Sequence, residues 1–188
     1  MKKVILSVFA LFLLVNTQAQ KVFTKTGMIA FSASSPIERI EATTKKSVGV
    51  IDLASGRIEV QVLVKSLHFE KALMEEHFNE NYMESGKFPD AKFVGNITDW
   101  ASVNLKKDGI YPFKVKGDLT MHGVTKNIET NGTLTVKGGT VTSAKSDITV
   151  KVADFNIQIP GVVKDKIAKE AKINIDLALQ VMAVAKVK

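Results

Sequence analysis

The sequence predicts an all-β protein, an antiparallel β-barrel of about eight strands that closes on itself, with one amphipathic helix inserted between strands. Apolar and polar residues alternate along many segments, which is typical of strands with one buried face. Turn signals that contain Gly or Asp separate these segments by short links. Because consecutive strands with short links pair as antiparallel neighbours, and closure removes exposed edges, we expect a barrel.

The first segment, residues 1–19, is predicted to be a cleavable signal peptide. Two lysines precede an apolar run over residues 4–15, and a small residue, Ala19, favours cleavage between Ala19 and Gln20. The run is shorter than the roughly 20 residues that span a bilayer. The chain has no Cys on which a lipid anchor could be built. We therefore expect an exported, soluble, periplasmic protein whose single domain covers residues 20–188.

Nine segments show the alternation of strands. It is clearest at 58–66, 113–121 and 173–183, where apolar residues occupy every second position. The other predicted strands are 27–33, 38–44, 47–53, 91–100, 126–136 and 140–152.

One segment, residues 69–83, breaks this pattern. Its apolar residues recur at helical spacing and its carboxylates fall on the opposite side, which predicts an amphipathic helix between two strands. A second, short helix is expected at 163–169, after the Pro160-Gly161 turn.

The interior of such a barrel is either filled by side chains or holds one small ligand. Most inward positions are Val, Ile or Leu, and Gly95, Gly117 and Gly132 are among them. Such a wall predicts free apolar space. The alternation alone leaves a packed core and a ligand cavity both open.

Three segments carry a resemblance to a known family. They are residues 75–93, which contain EEHF, a Tyr-Met pair and FPDAKF; residues 117–126, GDLTMHGVTK; and residues 154–157, DFNI. In order and spacing they resemble the YceI-like lipid/polyisoprenoid-binding proteins, whose most specific signature is a G-x-L-T-[IM]-H-G-V-T-[KR] hairpin. Met74 and Val152 stand where that family usually carries Arg.

The resemblance implies a lipocalin-like barrel that encloses a long amphiphile. We then expect this chain to bind a polyisoprenoid, a quinone-like molecule or a fatty-acyl lipid for sequestration or transport. The helical stripe and the inward strand positions give the candidate lining residues, which are Leu73, Met74, Phe78, Tyr82, Phe93, Ile97, Phe113, Val115, Leu119, Met121, Phe155 and Leu177.

The three histidines do not predict a metal site, because none lie three or four residues apart on a helix and the chain has no Cys. His77 is either a polar contact of the cavity or part of a structural hydrogen bond. His122 beside Gly123 is expected to build a turn, since His tolerates positive φ better than most residues. His68 is expected to be a solvated residue at a strand end.

Other classes of function are disfavoured. No Ser lies in a G-x-S-x-G turn and no carboxylates pair for acid–base work, so we expect neither an enzyme nor a cofactor. Removal of Lys2 and Lys3 with the leader reduces the formal charge from +7 to +5, and the remaining cations are scattered, unlike those of a nucleic-acid-binding face.

Two further architectures compete with the ligand-binding barrel. One is a structural or stress-related periplasmic barrel with a packed core. The other is an outer-membrane barrel, which is disfavoured because one Trp and two Tyr are too few for aromatic girdles. Trp100 either caps the barrel mouth or packs at its rim. The expected partner is a lipid or isoprenoid, without stable membrane insertion, and homodimer formation stays open.

Overall fold

Ten antiparallel strands build the computed structural model, which describes residues 20–183. The predicted signal peptide and its Ala19 lie outside the described residues, and Gln20 is the first residue inside them. The strands are β1 (Lys21–Ser34), β2 (Glu41–Asp52), β3 (Arg57–Leu63), β4 (His68–Phe69), β5 (Asp90–Ile97), β6 (Gly109–Met121), β7 (Val124–Lys137), β8 (Thr140–Lys151), β9 (Ile167–Ala178) and β10 (Gln180–Val181).

Eight of these strands close into a barrel in the order β1-β9-β8-β7-β6-β5-β3-β2, and β2 pairs with β1 to complete the ring. The short strands β4 and β10 add to β2 and β1 outside the ring. The predicted antiparallel barrel of about eight strands is therefore confirmed. Buried and exposed residues alternate along β6 without a break, from Phe113 to Met121, as the sequence pattern predicts.

Strand β2 shows where the sequence prediction was wrong. Residues 38–44 and 47–53 were expected to form two strands, yet Glu41–Asp52 is continuous. Its alternation changes phase at Lys45 and Lys46, which are both exposed, and its pairing with β1 shifts at the same place. A bulge of this kind accommodates an extra residue without ending the strand.

The inserted helix is shorter than predicted. Helix α1 covers Ala72–His77 and continues as a π-helical turn, Phe78–Tyr82, while Phe69 belongs to β4. We call residues 72–82 the lid, because they lie over one end of the barrel. Within residues 20–183, no helix is both long and apolar enough to cross a membrane.

The second predicted helix, at 163–169, is wrong. A 3₁₀ turn at Gly161–Val163 is followed by strand β9, whose first residue, Ile167, pairs with Ser34 of β1. The gain in cross-strand hydrogen bonds outweighs the weak helical pattern of this segment.

The end of the barrel opposite the lid is closed by side chains. The indole Nε1 of Trp100 donates a hydrogen bond to the carbonyl of Leu53 at 3.2 Å, and its ring lies against Gly56, which has a φ of +72°. Leu134 and Val141 are completely buried near this end. Trp100 therefore packs at the rim of the closed end, the second of the two roles that the sequence left open, and does not lie at the lid end.

The inward glycines do not leave the free space that the sequence predicted. A Cβ on Gly95 would come within 2.7 Å of the Phe93 ring, and one on Gly132 would meet both the Phe113 ring and the carbonyl of Lys145. Gly95 and Gly117 face each other across β5 and β6. These glycines allow close strand contact and give the two rings a place to lie, so this part of the interior is packed.

Candidate functional site

Two adjoining cavities occupy the lid half of the barrel. The larger, which we call the mouth cavity, has a volume of about 450 Å³ and lies between the lid, the ends of β1 and β9, and the connection from β8 to β9. Its inner wall is apolar and includes Ile40, Ile157 and Ile167, whereas its charged residues lie at partly or fully exposed positions of the rim. A volume of this size is within the range of small-molecule sites.

The smaller cavity lies deeper in the barrel and has a volume of about 120 Å³. We call it the deep cavity. Its surface is almost wholly apolar and is built by inward residues of β3, β5, β6 and β9, among them Val62, Val115 and Leu119. These side chains are inward because of the period-two geometry of their strands.

Aromatic rings form the junction of the two cavities. Phe31 of β1 and Phe78 of the lid line both cavities, and their ring centroids are 5.3 Å apart. Phe69 packs against Phe78 at 4.9 Å and extends the cluster toward β4. The lid is thus held to the barrel by the same ring that separates the mouth cavity from the deep cavity.

Ten of the twelve predicted lining residues do line a cavity. Leu73, Met74 and Tyr82 line the mouth cavity; Phe93, Phe113, Val115, Leu119 and Leu177 line the deep cavity; and Phe78 and Met121 line both. Whether any of them contacts a ligand stays a prediction.

The other two predicted lining residues, Ile97 and Phe155, face neither cavity. Ile97 is 3% exposed and belongs to the packed half of the barrel, near the closed end. Phe155 is 2% exposed in the 3₁₀ turn Val152–Phe155, which packs against β7 and β9. Both were correctly predicted to be buried, but an alternating pattern does not tell which buried residues border a cavity.

Sequence reasoning missed several lining residues, chiefly Phe31, Met83, Ile148, Ile173 and Ile175. The alternation of β9 carried a signal for the last two, since they share a face with Leu177. Phe31 lies in a strand whose bulges disturb the period, and its place beside the lid is set by tertiary structure.

Polar contacts fix the lid at its start. A carboxylate oxygen of Glu75 accepts the backbone N–H of Phe69 at 3.1 Å and lies 3.5 Å from His68 Nδ1. Lys71, the residue before the lid, has its Nζ 3.8 Å from Glu38 Oε1, and this pair links the start of the lid to the β1–β2 connection. His68 is largely exposed, as expected for a strand end.

His77 combines the two roles that the sequence left open. Its Nδ1 accepts a hydrogen bond from Asn81 Nδ2 at 2.9 Å, one helical turn later, and the residue also lines the mouth cavity. With Nδ1 as the acceptor, the ring proton is on Nε2, which is available as a donor. Beside it, burial raises the pKa of the Tyr82 hydroxyl, so this group stays protonated and also donates.

His122 is a structural residue of the β6–β7 turn. It is buried with a φ of +50°, and its Nδ1 donates to the carbonyl of Phe155 at 2.9 Å. Its Nε2 lies 3.4 Å from Glu84 Oε1, an ion-pair distance that is too long for a good hydrogen bond. The Phe88 ring packs edge-on at 4.7 Å. This side chain therefore joins three connections at the mouth end, in agreement with the predicted turn role.

The barrel wall has a seam between β7 and β8. Their pairing stops at Gly132 and Ser146, so residues 124–131 pair with β6 alone and residues 147–151 with β9 alone. Side chains replace the ladder at this point, since Ser146 Oγ donates to the carbonyl of Asn131 at 2.8 Å and Thr130 Oγ1 donates to that of Asp147 at 2.7 Å. The seam opens toward the lid end.

The site combines apolar walls with a few polar side chains. In the part of the chain that the structure describes, these side chains do not form a metal centre. Residues 20–183 contain no group of three His, Asp or Glu side chains placed to hold an ion. Apolar walls with a few polar groups at one end are suited to a molecule with a long apolar part and a small polar part.

Comparison with known proteins identifies the fold and the family. A family model described as a YceI-like domain matches residues 15–179. The chain belongs to the YceI-like family. This confirms the resemblance seen in the three sequence segments, and both motif-bearing turns, at His122 and at Asn156, lie at the mouth end of the YceI-like barrel.

Curated relatives and solved structures agree with this assignment. UPF0312 proteins of Pseudomonas putida strain F1 and Pseudomonas fluorescens Pf-5 are 32% and 36% identical over 113 and 84 residues, which cover 57% and 44% of this chain. The matched segments span 55% and 41% of those relatives, so the chain covers about half of their length.

Two solved structures share the fold of this YceI-like chain. A polyisoprenoid-binding domain from Saccharophagus degradans has a TM-score of 0.72 at 14% identity and covers 88% of this chain and 100% of its own. Burkholderia cenocepacia BcnA has a TM-score of 0.66 at 18% identity, with coverages of 84% and 96%.

Proposed function

We propose that this YceI-like protein is an exported, soluble container that binds a long apolar or amphiphilic molecule, either a polyisoprenoid, a quinone-like molecule or a fatty-acyl lipid. The observation that carries the proposal is the pair of adjoining cavities, with an apolar deep part and a polar rim at one end only. In this role the protein sequesters its ligand or carries it between membranes. It acts by binding and does not catalyse a reaction.

The energetics favour such a ligand. Removing apolar surface from water contributes about 25 cal/mol per Å², or about 0.8 kcal/mol for each buried CH₂. A chain that threads from the mouth cavity past Phe31 and Phe78 into the deep cavity would contact a mainly apolar surface along its path. Met74, Met83 and Met121 line this path, and flexible Met side chains adapt to chains of different shape.

The family supports this type of ligand. The Saccharophagus degradans structure that shares the fold is described as a polyisoprenoid-binding domain. At 14% identity the likeness extends to the fold, so the ligand class of this chain needs its own measurement.

Export is the second part of the proposal. Strand β1 begins at Lys21, just after the predicted cleavage between Ala19 and Gln20, so cleavage there would leave every strand of the barrel intact. N-terminal sequencing of the protein recovered from the periplasmic fraction tests this. A mature chain that starts at Gln20 is expected, and an uncleaved cytosolic protein would contradict export.

A packed structural barrel is the competing function. It is favoured by the closed half of the barrel, where Val22, Ile51, Leu134 and Val141 are completely buried, and by the small volume of the deep cavity. The two functions differ in whether the lid half holds a ligand.

Recovery of a bound ligand separates them. The protein is purified from its native host without detergent, extracted with organic solvent and analysed by mass spectrometry, with a protein of similar size from the same fraction as the control. A lipid that co-purifies at close to one molecule per chain is expected. A protein that is always empty, and that also ignores added quinones, isoprenoids and fatty acids, would favour the packed barrel.

A further inference from the structure

The polar groups of the mouth cavity are not evenly distributed around its wall. Five residues that line it carry ionisable side chains, namely Glu38, Lys71, His77, Tyr82 and Lys166. They belong to the β1–β2 connection, to the lid and the residue before it, and to the β8–β9 connection, all at the outer rim. The wall between the rim and the deep cavity is apolar. The head group of an amphiphile must therefore remain at this rim, since burying a charged or unpaired polar group deeper is costly.

The ionisable side chains of the rim supply several hydrogen-bond donors and few acceptors. Glu38 is its one carboxylate among the described residues, and that group lies 3.8 Å from the ammonium of Lys71. This pair is neutral as a whole. His77 presents an N–H at Nε2, because Asn81 occupies Nδ1, and Tyr82 keeps its hydroxyl proton.

Lys166 is the cation that remains. Within residues 20–183 it forms no ion pair, although it lines the mouth cavity. Its backbone is well fixed, because its N–H donates to the carbonyl of Val163 at 2.9 Å and the next residue, Ile167, pairs with Ser34. The side chain thus starts from a defined point on the rim of the same cavity that His77 lines.

We propose that the mouth cavity selects an amphiphile whose head group is an oxyanion, either a carboxylate or a phosphate, and that Lys166 is the residue that determines this selection. His77 Nε2 and the Tyr82 hydroxyl supply further hydrogen bonds to the oxyanion. An ionised acceptor forms stronger hydrogen bonds than a neutral hydroxyl or ketone, which is why an anionic head group is preferred. This inference rests on the proposed function, and it adds the chemical class of the head group.

Matched ligands test the proposal. Affinities of the whole mature protein are measured by displacement of a neutral fluorescent probe, N-phenyl-1-naphthylamine. One arm compares hexadecanoate with hexadecan-1-ol, and the other compares geranylgeranyl phosphate with geranylgeraniol. We expect the anionic member of at least one arm to bind about tenfold more tightly than its alcohol. The arm with the larger ratio identifies the source of the head group as a fatty acid or an isoprenyl phosphate.

Two variants assign the preference to a residue. Lys166→Gln is expected to reduce the anion-to-alcohol ratio about fivefold or more while the affinity for the alcohol changes less than about twofold. Lys164→Gln is the matched control, because Lys164 is an exposed cation of the same connection that does not line the cavity. It is expected to keep the ratio of the unmodified protein.

The possible results distinguish failure of the head-group selection from failure of the proposed function. Equal affinity for acid and alcohol in both arms, or a Lys166→Gln protein with an unchanged ratio, would overturn the head-group selection while leaving the container intact. Failure of all four ligands to displace the probe would overturn the container and this inference together. Since an exposed cation is screened by salt, the ratio is also expected to fall as NaCl rises from about 0.05 to about 0.5 M.

Discussion

The rings of Phe31 and Phe78 are 5.3 Å apart and tilted by 55°, and both line the mouth cavity and the deep cavity. Phe31 belongs to a barrel strand and Phe78 to the lid. One aromatic contact therefore attaches the lid to the barrel and lies at the junction of the two cavities.

The first prediction concerns this contact. Phe78→Ala is expected to destabilise the protein by about 3 kcal/mol, because it removes a buried ring and leaves a cavity. It would also join the two cavities and speed the uptake of long-chain ligands. Urea unfolding measures the first effect, and stopped-flow fluorescence with N-phenyl-1-naphthylamine measures the second.

Leu73→Ala serves as the control, because Leu73 lies on the same lid and is 61% exposed. Its loss is expected to change the unfolding free energy by less than about 0.5 kcal/mol. Equal effects of the two substitutions would show that Phe78 does not anchor the lid.

The second prediction concerns His122. His122→Ala removes the donor to the Phe155 carbonyl and puts Ala at a φ of +50°, so a loss of about 1–3 kcal/mol is expected. His122→Asn should lose less, because Asn tolerates this φ and has an amide donor. His68→Ala at an exposed site is the control for loss of an imidazole. Thermal unfolding of the three variants tests this order of stability losses. The order would not be observed if His122 were merely an exposed loop residue.

The third prediction concerns the glycines under the aromatic rings. Gly132→Ala would place a methyl group against the Phe113 ring and the Lys145 carbonyl, so a loss of about 1–3 kcal/mol is expected. Gly86→Ala is the matched control, since no atom lies within 4 Å of its added Cβ, and it should be neutral or slightly stabilising. Similar stabilities of the two variants, measured by urea unfolding, would mean that the interior at Gly132 is not packed.

The fourth prediction concerns the seam. Amide hydrogens of residues 124–131 that point away from β6, and those of 147–151 that point away from β9, have no partner in a ladder across the seam. They are expected to exchange faster than amides of residues 132–136, which pair on both sides. Hydrogen exchange followed by NMR measures this directly. Uniform protection along β7 would show that the wall is closed there.

The sequence predicted the barrel because most of its strands obey one local rule. In β6 every second residue from Phe113 to Met121 is buried, and no tertiary knowledge is needed to see it. The rule failed in β2, where the bulge at Lys45 and Lys46 shifts the phase, and at Ile167, where pairing with Ser34 overrides a weak helical pattern. Both failures depend on partners that are distant in sequence.

The sequence predicted which residues face the barrel interior at the candidate site, but not which of them line a cavity. Val115 and Ile97 both occupy inward positions and face each other across β6 and β5, yet Val115 lines the deep cavity and Ile97 does not. The packing of large side chains decides which inward positions border a cavity, as where the rings of Phe93 and Phe113 lie over the inward glycines. The residues of the rim could not be predicted from the alternating pattern either, because Lys166 reaches the mouth cavity from a connection between strands.

The central claim, that the lid half of this YceI-like barrel holds an apolar chain, is tested most directly by methyl NMR. The mature protein, labelled with ¹³C at Val, Leu and Ile methyl groups, is titrated with a long-chain isoprenoid or fatty acid. If an apolar chain occupies the lid half, large shifts are expected at Val115, Leu119 and Leu177 in the deep cavity, and small shifts at Leu134 and Val141 in the packed half. Shifts confined to exposed methyl groups, or no shifts with any ligand, would contradict it.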